Sequence, residues 1–137
     1  MPTAIRNLLR TAACRLRPCP DLPRLAELRE HFTRFDQKLA LTDYSFAVVD
    51  TELTGLNPGV ARMVSIGAVR IRGMRIVPGD AFSSLVAPGR ELPKGSTLIH
   101  RITPEAVASA PHIRSVLPRF VDWLGDSLIV GHHVGLD

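Results

Sequence analysis

The chain has 137 residues, 45% of them hydrophobic, which is the size and composition of one globular domain or less rather than of a disordered segment. No apolar run approaches the ~20 residues that cross a bilayer. The two cysteines, Cys14 and Cys19, make no zinc-ligand set and imply no oxidising compartment, so the expected setting is a reducing cytoplasm with no membrane partner. The net charge of +4 is uneven: residues 1–42 hold eight Lys or Arg against four acids, whereas residues 43–137 hold nine of each.

Residues 1–43 therefore read as a basic, helical N-terminal extension. Its charge fits an arm drawn to nucleic acid phosphates and fits equally a solvated helix face. Four arginines and no acid among the first nineteen residues also fit a mitochondrial transit peptide, but serine is nearly absent and no processing site is evident. Residues 4–13 favour helix, and Pro18, Pro20 and Pro23 break the chain after it. Asp21 can cap a following helix with Pro23 in its first turn. Leu25, Leu28, Phe32, Phe35 and Leu39 then form an apolar stripe at helical spacing, which predicts a helix reaching Leu39 and packing on the chain's own domain. Leu41 to Ser45 is the expected linker.

Residues 44–137 read as the second unit. Phe46-Ala47-Val48-Val49 predicts a buried strand, with a turn signal at Thr54-Gly55. Alternation along that strand puts Asp50 and Glu52 on one face. Paired carboxylates repel unless a cation joins them, and Mg²⁺ takes one or two carboxylates together with phosphate oxygens. A solvated strand end accounts for the same pair without any metal. A strand from Met63 to Arg72 connects through Gly73 to one from about Arg75 to Val86, and so short a connection implies antiparallel pairing. Pro78 and Gly79 predict a bulge or break. Thr103 can cap a short helix opened by Pro104. A longer helix from His112 to Leu124 closes at Gly125, burying Ile113, Val116, Leu117, Phe120 and Leu124, with a kink expected at Pro118. Ser127 to Val130 is a second buried strand, parallel to the first because a helical crossover joins them.

Several segments, taken in order, resemble the DEDD-type 3′–5′ exonucleases, which include the proofreading epsilon subunits of bacterial replicative polymerases. Val48 to Leu56 is similar to the family's first motif, Val64 to Val69 to its second strand and Leu85 to Gly89 to the end of its third. Ile99 to Thr103 with Ala110-Pro111 resembles its linking segment, and Gly131 to Asp137 its second motif. The likeness runs from Phe46 to Asp137, about two-thirds of the chain. It implies an α/β fold, a ribonuclease H-like mixed sheet flanked by helices. It also implies two divalent ions, Mg²⁺ or Mn²⁺, held by Asp50, Glu52 and Asp137 as the catalytic carboxylates. Leu53, Thr54, Gly55, Leu56 and His132 would be substrate-binding residues, with Leu56 either a wedge against the terminal base or ordinary core.

The implied partners are a nucleic acid 3′ end, single-stranded DNA before RNA, and a DNA polymerase subunit. The alternatives are a non-cutting nucleic-acid- or polymerase-binding module of the same fold, or an exoribonuclease degrading oligoribonucleotides. Family members carry a third motif, a histidine with an aspartate shortly after it, and the sequence ends before one. The expected fold is thus incomplete at the C-terminus and the chain impaired as a catalyst. Smaller departures are Leu53 for a usual threonine, Ser65 for glutamate, Arg101 for glycine, and His133 and Leu136 within the second motif.

Overall fold

The computed structural model describes residues 23–57 and 59–132. Helix α1 spans Pro23–Thr33, and a 3₁₀ turn at Leu41–Asp43 leads into β1, Ser45–Leu53. Strands β2 (Met63–Arg72) and β3 (Arg75–Leu85) follow, then helices α2 (Lys94–His100), α3 (Pro104–Ala108) and α4 (Ile113–Leu124), and finally β4 (Leu128–Val130). The four strands lie in the order β3-β2-β1-β4, with β1–β2 and β2–β3 antiparallel and β1–β4 parallel. This is the mixed sheet with flanking helices expected from the sequence.

The local causes are legible. Gly73 and Met74, both at positive φ (56° and 61°), form the two-residue hairpin between Arg72 and Arg75, where only such a turn matches the strand twist. The bulge expected at Pro78 and Gly79 is present: pairing passes from Val69↔Ala81 to Ile71↔Ile76, so several β3 residues stand against Arg70. Thr103 caps α3 by accepting from the Ala106 N–H at 3.3 Å, and its hydroxyl joins the Glu105 backbone N–H in holding the Glu105 carboxyl below its usual range. The His112 Nδ1 caps α4 from the Arg114 N–H at 3.2 Å, and Gly125 (φ 58°) ends it. Helix α4 continues through Pro118 as one element.

The sheet has two unlike faces. Ala47, Val49, Ile66, Ala68 and Phe82 pack under Val116, Phe120 and Leu124 of α4 in one apolar cluster, with Ile113 and Leu117 half-buried at its margin. Val121, absent from the expected stripe, is also buried. A smaller cluster joins Val64, Leu92 and Val107, with Ile102 packed against it.

Several expectations need correction. Helix α1 stops at Thr33 rather than reaching Leu39, because Asp36 accepts the Lys38 N–H at 2.9 Å and its own carbonyl accepts the Tyr44 hydroxyl at 2.6 Å. That local turn competes with helix. Leu28 is buried near α4, Phe35 stacks on Tyr44 at 5.2 Å, and Leu39 is 48% exposed. The expected linker is partly ordered as the 3₁₀ turn and the start of β1. Helix α2 was not expected, since Gly95, Ser96 and Thr97 are poor helix formers. The helix expected over residues 4–13 lies outside the described residues.

Candidate active site

Strand β1 carries the first part of the site. Its odd positions, Ala47 and Val49, enter the core under α4, so Asp50 and Glu52 stand on the opposite face. Asp50 is exposed and Glu52 half-buried. Their cross-strand partners are small: Gly67 opposite Asp50 and Ser65 opposite Glu52. The register then shifts between Glu52 and Leu53, a bulge that turns the chain away from the sheet just past the carboxylates. Neither carboxylate has a hydrogen-bond or ion-pair partner among the described residues.

A divalent ion fits this donor set. Two same-face carboxylates with no protein partner, flanked by a glycine and a serine, leave room for a hard cation and for phosphate oxygens. Two ligands do not complete a metal site, and among the described residues no group of three or more His, Cys, Asp or Glu is gathered. Asp137, the expected third carboxylate, lies outside the described residues, as does His133. His132 is described and exposed: Val48 pairs with Val130 on β4, so His132, two residues further, is level with Asp50. The parallel crossover thus brings the second motif alongside the first.

The loop after β1 forms the adjoining wall. Thr54 is buried and clasps Arg62 twice, its N–H donating to the Arg62 carbonyl and its hydroxyl accepting the Arg62 N–H, both at 2.9 Å. A groove of about 300 Å³ is lined by Thr54, Gly55, Leu56, Val60, Arg90 and Pro93, among others. Leu56 is 83% exposed there, which removes the core reading and leaves the side chain available to a ligand. Arg90 donates to the Val60 carbonyl at 2.8 Å and fixes the far side of the loop. The sequence gave no signal for that role beyond a cation beside the Pro88-Gly89 turn.

A larger depression of about 620 Å³ lies at the other end of β1, between α1, Tyr44 and Leu128. Glu27, Glu30, Asp36, Asp43 and Asp126 line it, so it would repel a phosphate backbone. We place the site at Asp50 instead. Two other histidines prove structural: His112 caps α4, and His100 accepts the Ile102 N–H on Nδ1 at 3.0 Å.

A mixed sheet of this order, with a carboxylate pair at the end of its central parallel strand, defines a ribonuclease H-like nuclease fold. Residues 47–137 match the RNase T exonuclease family, and the chain belongs to it. It is 44% identical over 98 residues to a DNA polymerase III subunit epsilon-like protein of Rhodobacter capsulatus, covering 71% of this chain and 14% of that protein. It is 42% identical over 95 residues to the DNA polymerase III PolC-type of Thermotoga maritima, covering 69% and 7%. Against DNA polymerase III subunit epsilon of Aquifex aeolicus it is 36% identical over 97 residues, covering 71% and 47%. The chain therefore spans less than half the length of each of these relatives.

Among solved structures, exonuclease X in complex with 5′ overhanging duplex DNA superposes with a TM-score of 0.58 at 33% identity, over 67% of this chain and 51% of that one. A product-bound exonuclease I shares the fold with a TM-score of 0.59 at 20% identity, over 66% and 22%. No helix among the described residues is long and apolar enough to cross a membrane.

Proposed function

We propose that this chain carries the metal-binding part of a 3′–5′ exonuclease site of the proofreading type. Its substrate would be the 3′ end of DNA, single-stranded, presented in the cytoplasm in association with a DNA polymerase. The observation that carries the reading is the pair Asp50 and Glu52, on one strand face with only Gly67 and Ser65 opposite. The polymerase partner is supported by relatives named as DNA polymerase III subunits.

Two divalent ions about 3.5–4 Å apart would supply a hydroxide near neutral pH and charge neutralisation at the attacked phosphate. Asp50 is placed to bridge both ions, Glu52 to hold one, and Asp137 the other. Backbone N–H groups of residues 53–56 would face the terminal nucleotide, with the exposed Leu56 against its base and His132 shaping the opposite side. No histidine follows His133 in the 137 residues, so the polypeptide offers no third-motif general base. Loss of positioned proton transfer costs typically about 10²–10⁴-fold. The same feature favours the second reading, a module that holds a 3′ end without cutting it.

The test is nucleotide release from single strands labelled at either end, at high protein concentration with Mn²⁺. Slow release of mononucleotides from the 3′ end, abolished by Asp50→Ala, is the expected result. Binding without any release would favour the non-cutting module. Release from the 5′ end, or release that survives Asp50→Ala, would overturn the proposal.

A further inference from the structure

We propose that Lys94 and Arg101, at the two ends of α2, form a phosphate-binding edge that guides the incoming single strand toward Glu52. The inference rests on the nuclease reading and adds to it residues outside the motifs. Seven residues apart on a helix, the two side chains fall on nearly the same side and about 10 Å apart along the axis, so each can hold a separate phosphate. Both are exposed, and neither has a hydrogen-bond or ion-pair partner for its side chain among the described residues. By contrast, Arg62 and Arg90 in the neighbouring loop are engaged by the carbonyls of Ala61 and Val60.

The placement of α2 is fixed at both ends. Pro93, just before it, lines the groove that holds Thr54, Gly55 and Leu56. Ile102, just after it, packs on the cluster of Val64, the strand neighbour of Ser65, which pairs with Glu52. The cations therefore flank the carboxylate end of β1.

Arg101 also occupies a backbone conformation that glycine adopts freely and other residues do not: its φ is 59°, and its N–H closes the helix on the Thr97 carbonyl at 2.9 Å. A side chain held there against backbone preference, with no protein contact, is explained by a ligand outside the chain. The acids nearest in sequence are Glu91, on the groove wall, and Glu105, whose carboxyl is engaged at the start of α3.

The test is the salt dependence of binding of the 137-residue chain to a fluorescently labelled oligothymidylate in metal-free buffer. Each phosphate contact on a single strand contributes about 0.7 to the slope of log affinity against log salt. Arg101→Ala and Arg101→Gly should each lower the slope by about 0.7, and Lys94→Ala/Arg101→Gly by about 1.4. Stability should separate the first two, since Arg101→Gly relieves the positive φ and raises Tm relative to both Arg101→Ala and the parent. Arg119→Gln, which removes an exposed cation from α4, should leave the slope unchanged.

An unchanged slope in the Lys94 and Arg101 variants would overturn the edge, as would an equal loss in Arg119→Gln. If the slopes stay at the parent value while Asp50→Ala still removes Mn²⁺ binding, the edge fails and the nuclease reading stands. A parent chain that binds neither strand nor Mn²⁺ overturns both.

Discussion

An Arg70→Ala chain is expected to lose about 3–5 kcal/mol of folding stability, the scale for removing one partner of a buried ion pair. Arg70 is 5% exposed and lies on the core face of β2. Its Nε donates to Asp80 at 3.3 Å and its Nη1 to the Leu124 carbonyl at 2.9 Å; the guanidinium also donates to the Ser127 hydroxyl and the Trp123 carbonyl. Its carbon stands 4.1 Å from the centre of the Trp123 ring. The other Asp80 oxygen accepts the Trp123 indole N–H at 2.8 Å, and the Ser127 hydroxyl shares a 2.8 Å hydrogen bond with Ser45. One side chain thus ties the bulge of β3, the last turn of α4 and the entries to β1 and β4. Alanine would leave the Asp80 carboxylate and two helix-end carbonyls without this partner. Arg70→Lys should recover only part of the loss, because one ammonium cannot reproduce the planar fork. Urea unfolding followed by circular dichroism measures both, and an Arg70→Ala loss below about 1 kcal/mol would show that the network contributes little.

Phe120→Ala is expected to cost a similar amount, about 3–5 kcal/mol, for a different reason. Phe120 is 8% exposed, meets Phe82 edge-on at 5.3 Å, and stacks on Trp123 at 6.1 Å. Truncation removes a buried ring and leaves a cavity between α4 and the sheet that Ala47 and Val49 are too small to fill. Leu117→Ala, at a half-buried margin of the same cluster, should cost clearly less. Typical net stability is only about 5–15 kcal/mol, so either large loss brings unfolding close to ambient conditions. Equal urea midpoints for Phe120→Ala and Leu117→Ala would contradict the assignment of the core to this face.

How much of this was legible in the sequence depends on which physical effect decides each position. Strand alternation put Ala47 and Val49 in the core and Asp50 and Glu52 together on the other face, because a period of two leaves no freedom once one face is buried. The same parity places Arg70 in line with Val64, Ile66 and Ala68, so its burial follows from the pattern. Its partners come from α4 and β3, at separations that local spacing does not reveal. The end of α1 depended on a side-chain turn at Asp36, which competes with a helix the apolar stripe would otherwise extend. Helix α2 was hidden because Gly95, Ser96 and Thr97 give it no propensity.

At the site, the first motif was visible residue by residue. The exposure of Leu56 was not visible, since an apolar residue after a turn fits core and ligand wedge equally well. Nor was the alignment of His132 with Asp50, which needs the β1–β4 register.

The central claim, that Asp50 and Glu52 hold divalent metal, is tested most directly by Mn²⁺ titration of the 137-residue chain, read as paramagnetic broadening of backbone amide resonances. Broadening should centre on residues 50–52 and 65–67 and extend toward His132. It should disappear in Asp50→Ala/Glu52→Ala while the remaining spectrum stays folded. Broadening that persists in the folded double variant, or that centres instead on the acidic depression around Glu27, Asp43 and Asp126, would contradict the claim.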